Sequence, residues 1–231
     1  VAIAEGMGLH GKFNEVIKVL RPLVRLPVDT SLKMKVLYRL ALAHWNILDD
    51  HGINSCVKQA KELAHNGREL YLINCVEGVQ SLSSGDFYRA SIVLKEALKD
   101  IDITSSNRIL ITNNLAASLM LLGEYDEAEY FIEKVYEEID NQRYDIWLPL
   151  VLDTMGNLQI AKGQEKKGKV FLNKAVEAAK SFDFTKQELS DAYCHLGTME
   201  RRNGEYSNAL NFHTESISIC KRNRHFHNFA R

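Results

Sequence analysis

Apolar residues return along the chain at helical spacing, in blocks separated by short polar turns. Before one such turn lie Ile109, Leu110, Leu115, Leu119 and Leu122; after it come Ala128, Phe131, Ile132 and Val135. The turns themselves repeat. A glycine followed by a polar and then an aromatic residue occurs at Gly11-Lys12-Phe13, Gly85-Asp86-Phe87, Gly123-Glu124-Tyr125 and Gly204-Glu205-Tyr206, with Gly163-Gln164-Glu165 as a weaker copy. The last three intervals between these glycines are 38, 40 and 41 residues, and the first is 74, room for two units. In the gap the turn is degenerate, read as Asp49-Asp50-His51-Gly52.

Each unit therefore reads as a helical hairpin, closed by a glycine that takes the left-handed conformation without a Cβ clash. The aromatic two residues later is expected to pack back between the two helices. The spacing predicts helices over 1–10 and 13–26, 31–48 and 53–65, 69–83 and 86–100, 106–122 and 125–140, 146–162 and 165–181, and 186–203 and 206–222. A tail from Asn223 is expected to open a seventh unit. Thr104-Ser105-Ser106 marks one helix start, and Thr185 with Glu188 has capping-box spacing at another. Pro22 and Pro27 sit beside a turn, and Pro149 opens a helix, where the ring pre-sets the backbone. The expected fold is all-α: a right-handed superhelical α-solenoid of about six hairpins, one domain over 1–231.

Several residues carry a resemblance to the tetratricopeptide repeat family. Tyr193-Cys194-His195-Leu196-Gly197 followed by Gly204-Glu205-Tyr206 and Ala209-Leu210 is similar to that family's leucine-glycine pair, turn and small alanine. Leu115-Ala116 with Gly123-Glu124-Tyr125 and Ala128 is a second copy; Gly78 with Gly85-Asp86-Phe87 and Ala90 a third; Met155-Gly156 with Gly163 and Gly168 a fourth. Such small residues let paired helices approach closely. The usual repeat is about 34 residues, so these longer units imply extended helices, as in the sensor arrays of bacterial signal-responsive activators, peptide-pheromone receptors and kinesin light chains. The resemblance implies binding of a protein or peptide in a concave groove lined by first helices.

Aligning the units on their small residues places Arg39, Asn113, Asn114, Asp153, Asn157, Thr198, Arg201 and Arg202 on that inward face. Asparagine donates and accepts to a peptide backbone, and arginine pairs with carboxylates. Two adjacent asparagines in mid-helix, where the residue is a mediocre helix former, single out Asn113 and Asn114. The family's lysine-and-arginine clamp for C-terminal carboxylates is not reproduced in full.

Charge changes this picture little. Twenty-nine basic against thirty acidic residues give a net charge of −1, which attracts the chain neither to nucleic acid nor to anionic membrane. The basic stretch from Lys221 to Arg231 reads as a solvated helix end. Four cysteines without a CxxC pair, at Cys56, Cys75, Cys194 and Cys220, read as small core residues in a reducing, cytoplasmic setting. No apolar run is long enough to cross a bilayer. Gly6-Met7-Gly8-Leu9-His10-Gly11 spells a dinucleotide fingerprint with Asp29 about twenty residues on, but Gly11 is in register with the turns and no strand-helix alternation follows. Gly163 to Gly168-Lys169 has Walker spacing but ends in Val170 where a hydroxyl is needed. His225 and His227, and the isolated His10, His44, His51, His65, His195 and His213, form no ligand set. Trp45 and Trp147 read as packing between units rather than as ligand-stacking rings. No catalytic residue, metal or cofactor is expected.

Three functional classes follow: a non-catalytic interaction scaffold, the effector-binding array of a larger transcription regulator or signal-transducing ATPase, and an enzyme with an unrecognised site. The chain opens in helix-like sequence without a methionine, so a fragment with flanking domains is expected.

Overall fold

The repeated turn is realised four times in the same way. Gly85, Gly123, Gly163 and Gly204 sit at φ of 77–83° in the computed structural model, and the residue after each donates its N–H back across the helix end, as Glu124 does to the Leu119 carbonyl at 2.9 Å and Glu205 to that of Glu200 at 2.9 Å. The same polar residue then begins the next helix. Asp86 accepts the Arg89 N–H at 3.0 Å and so caps it. One short motif thus ends one helix and starts its partner.

The structure describes residues 4, 7, 12–47, 49–63, 70–99, 103–142, 145–182 and 186–223. Among them are eleven α-helices and no strand: α1 Phe13–Leu20, α2 Thr30–Asn46, α3 Asp50–Leu63, α4 Leu70–Ser83, α5 Phe87–Ala97, α6 Ser105–Leu122, α7 Tyr125–Gln142, α8 Leu148–Ala161, α9 Glu165–Lys180, α10 Lys186–Arg202 and α11 Tyr206–Asn223. Short 3-10 helices follow α1 (Arg21–Arg25) and precede α8 (Asp145–Trp147). The helix expected over 1–10, the glycine fingerprint ending at Gly11, the cap at Thr185, His10, His65, His225, His227 and the tail from residue 224 lie outside the described residues.

The chain forms two compact units, Val1–Asn114 and Leu115–Arg231, divided within α6. In the first, α1 and its 3-10 extension pack on α2, and α2/α3 and α4/α5 form hairpins whose first helices also touch each other. The single helix expected over 13–26 gives way to 3-10 geometry where Pro22 enters the first turn, since proline supplies no N–H to an α-helical ladder. Asp29 is not a ribose ligand but the N-cap of α2, accepting the Leu32 N–H at 2.9 Å.

The degenerate turn differs from its expected form. Gly52 lies inside α3, and Asp49 does the capping, accepting the Gly52 N–H at 2.9 Å with one oxygen while the other meets His44 Nδ1 at 2.8 Å. Gly52 serves close approach instead: a Cβ there would sit 2.2 Å from the His44 ring.

In the second unit, α8/α9 and α10/α11 are hairpins and α7 packs on α8. The core joins Leu152 of α8, Leu172 and Ala175 of α9, and Leu189, Ala192 and Leu196 of α10. A Cβ on Gly168 would lie 2.7 Å from the Gly156 carbonyl, so the α8/α9 hairpin closes backbone against backbone. Gly163 to Gly168 is thereby a turn and a packing contact, and Lys169 pairs with Glu200 at 2.6 Å rather than with a nucleotide.

Ion pairs between successive hairpins were not legible beforehand. On α4, Glu77 joins Lys61 of α3 (2.8 Å) and Arg89 of α5 (2.6 Å). Glu129 of α7 accepts from Gln159 (2.9 Å) and Lys162 (2.5 Å) at the end of α8. Glu200 of α10 takes Lys169 of α9. Three of the joints between a second helix and the next first helix, α3/α4, α7/α8 and α9/α10, thus carry one such acid.

Candidate functional site

In the second unit the first helices α8 and α10 lie against each other. Along their line of contact the structure gathers Asp153, Asn157 and His195. His195 Nδ1 is 2.8 Å from Asp153 Oδ1. A carboxylate at that distance requires the proton on Nδ1, so the ring donates to Asp153. The Asn157 amide, 3.0 Å from the same nitrogen, then directs its hydrogens to the Asp153 backbone oxygen (3.0 Å) and to Oδ2 (3.2 Å). Asp153 is 8% exposed; the carboxylate therefore orients a part-exposed imidazole and is itself held by an amide.

Two helical turns toward the start of each helix, the polar groups are unsatisfied. Glu188 Oε2, Gln187 Oε1 and Trp147 Nε1 are buried without a hydrogen-bond partner. Burial pushes the Glu188 carboxyl up to about 7, and the charges of Asp191 and Asp153 add to the rise. Gln187 reaches Asp191 Oδ2 through its amide nitrogen at 3.2 Å, which leaves its oxygen as the orphan. A buried polar atom without a partner costs about 1–3 kcal/mol, so Gln187 and Glu188 in the first turn of α10 and Trp147 just before α8 carry unsatisfied polarity in this unit.

The sequence-derived groove residues divide. Asp153 and Asn157 meet as described. Thr198, one turn further along α10, is half-buried, and Arg201 and Arg202 are exposed at its end. In the first unit, Arg39 is half-buried with its guanidinium 5.5 Å from the Tyr38 ring. Asn113 is 2% exposed, with Oδ1 unpartnered, and Asn114 is half-buried. The pair thus splits between core and surface, because adjacent residues on a helix point about 100° apart.

His195, Glu188, Gln187 and Trp147 were missed. The signal for His195 was available: Gly156 and Gly197 are 41 residues apart, one repeat, and Asp153 and His195 are 42 apart, so both occupy nearly the same position of successive first helices. Trp45 behaves as a packing residue, donating to Ser83 Oγ at 2.7 Å between α2 and α4. Cys56, Cys75 and Cys220 are buried, and burial pushes the first two thiols up to about 11 and about 12. Among the described residues no group of three or more His, Cys, Asp or Glu side chains is placed to hold a metal ion, and no helix is long and apolar enough to cross a membrane.

Two segments, 109–137 and 189–223, match the tetratricopeptide repeat family. No curated protein matches the chain. Among solved structures, the chain is similar to BtubC (BKLC) from P. vanneervenii, at 17% identity and a TM-score of 0.64 over 92% of this chain and 90% of that one. It is also similar to the MamA RS-1 ArsTM double mutant, at 17% identity and a TM-score of 0.50 over 85% and 98%. At these identities the likeness shows the fold alone.

Proposed function

We propose that this tetratricopeptide-repeat protein is a non-catalytic module that binds a protein or peptide along the first-helix face of its second unit. The observation carrying this reading is the Asp153–Asn157–His195 cluster between the first helices, together with the unsatisfied buried atoms Glu188 Oε2, Gln187 Oε1 and Trp147 Nε1 of the same unit. Two acceptors and one donor suit a peptide segment, whose backbone offers both N–H and carbonyl groups. Three carboxyls, Asp153, Glu188 and Asp191, favour a segment with a basic side chain. Thr198, Arg201 and Arg202 continue the same helix and are assigned to the rim of the contact. In the first unit, Arg39, Asn113 and Asn114 remain candidate contacts by their repeat position.

The test is a peptide array probed with the full chain, followed by calorimetry on the tightest sequence. Basic peptides are expected to be enriched, and Asp153→Asn with Glu188→Gln is expected to weaken binding by at least about tenfold, the loss of one charge-assisted contact. Unchanged affinity in that double variant, or no peptide retained at all, sinks the reading. The effector-binding array of a larger regulator stands as a second reading, favoured by one observation: a cavity in the first unit.

A further inference from the structure

That cavity measures about 300 Å3, the lower end of the range for small-molecule sites. It opens between the 3-10 helix Arg21–Arg25 and the α2/α3 hairpin. Its floor is apolar: Leu37 and Leu40 of α2 are 1% and 3% exposed, and Cys56 of α3 is buried beside them. Burial pushes the Cys56 thiol up to about 11, so it stays uncharged.

The rim is cationic. Arg21 and Arg25 reach it from the 3-10 helix and His51 from the start of α3. Both arginines are exposed, and neither forms an ion pair with a described residue. Asp49 is the single carboxylate among the lining residues, and its two oxygens are already engaged, by the Gly52 N–H and by His44 Nδ1. The hydrogen bond from Gly52, with His44 and His51 nearby, holds that carboxyl below its usual range. It thus serves the α3 cap and forms no ion pair with either guanidinium.

We propose that this cavity binds a small organic carboxylate, with its short apolar chain on Leu37 and Leu40 and its carboxylate between Arg21 and Arg25. A guanidinium matches a carboxylate with two parallel N–H donors, and Pro22 stiffens the segment that presents both. The apolar floor selects against a bare inorganic anion, which gains nothing from Leu37 and Leu40. A volume of about 300 Å3 suits a free small molecule rather than an extended chain.

The probe is hexanoate, titrated into the full chain by calorimetry and followed by NMR at the Gly52 and Cys56 amides. Saturable binding is expected, with shifts at both amides and affinity falling from hexanoate to propionate to acetate as buried methylenes are removed. Arg21→Gln with Arg25→Gln is expected to weaken it by about tenfold or more, and hexylamine is expected not to bind. Both arginines are exposed, so this variant is expected to melt with the wild type. No saturation by about 10 mM, equal affinity for acetate and hexanoate, equal affinity in the double variant, or equal binding of hexylamine would each overturn the proposal. Glu188→Gln is expected to leave hexanoate binding unchanged, which separates this site from the peptide face of the second unit.

Discussion

Glu77 in the first unit and Glu188 in the second both stand on first helices, and their surroundings shift them in opposite directions. In the first, Glu77 of α4 is 8% exposed and meets Lys61 and Arg89 at once. Burial alone would push its carboxyl up, but the hydrogen bonds from the two cations outweigh it and hold the group below the ordinary range. In the second, Glu188 of α10 has Oε2 sealed from solvent with no donor, and burial raises its carboxyl to about 7. The same residue type is thus shifted down where two cations are built in beside it and up where burial prevails.

The largest expected effect breaks this contrast by pH. An unfolded glutamate ionises near 4.3. Between there and about 7 the folded chain keeps a proton on Glu188 that the unfolded chain has lost, so stability falls as pH rises through that window. The loss is on the order of 3–4 kcal/mol and is complete above the upper limit. Glu188→Gln is expected to flatten the urea-derived stability profile between about pH 5 and 8. Glu77 has the opposite sign: its contribution is present above the unfolded value and vanishes as pH falls through its lowered folded value. Glu77→Gln is expected to cost about 1–2 kcal/mol at neutral pH, with Lys61 and Arg89 half-exposed and able to rehydrate, and to converge with the wild type in acid. Identical pH profiles for the two variants would refute the distinction between a partnered and an orphaned acid.

A second pair of substitutions sharpens the comparison at the close helix contacts. On Gly168 in the second unit, a Cβ meets the Gly156 carbonyl at 2.7 Å, an atom fixed in the backbone of α8. On Gly78 in the first unit it meets only the Leu94 side chain, at 2.5 Å. Alanine gains about 1 kcal/mol of helix propensity at either place, against an overpacking cost of about 1–3 kcal/mol. Gly168→Ala is therefore expected to destabilise by about 1–2 kcal/mol net, and Gly78→Ala by less, since Leu94 has other rotamers. Chemical denaturation midpoints decide it. A larger loss at Gly78 would mean that the first unit is the more tightly determined.

The hairpins were legible because their signals are local. A turn glycine, the polar cap after it and a helical apolar period each need only neighbouring residues, and all four turns at Gly85, Gly123, Gly163 and Gly204 follow them. At Gly52 the same letter misleads, because the cap is Asp49 and the glycine serves packing against His44. The candidate site was half legible. Asp153 and Asn157 share one helix and fall out of its periodicity, whereas His195 becomes their neighbour only through the α8–α10 contact. Glu188, Gln187 and Trp147 were hidden for a deeper reason: their significance lies in bonds that are not made, and no spacing rule encodes a missing partner.

The smallest expected effect concerns one position of the repeat in both units. The aromatic two residues after the turn glycine is expected from sequence to pack between its helices. Phe87 in the first unit is half-buried, as is Tyr125, but Tyr206 is 71% exposed. The hairpins of Phe87 and Tyr125 are each followed by further helices, whereas no helix follows α11 among the described residues, where Leu210 and Ile217 are also bare at 68% and 47%. The ring at this position is therefore covered to different extents along the repeat. Tyr206→Ser is accordingly expected to change the unfolding free energy by less than about 0.5 kcal/mol, while Phe87→Ser, which strips a half-buried ring, is expected to cost about 1–2 kcal/mol. Thermal melts of the two variants side by side measure the difference. Equal costs would require Tyr206 to be covered in solution.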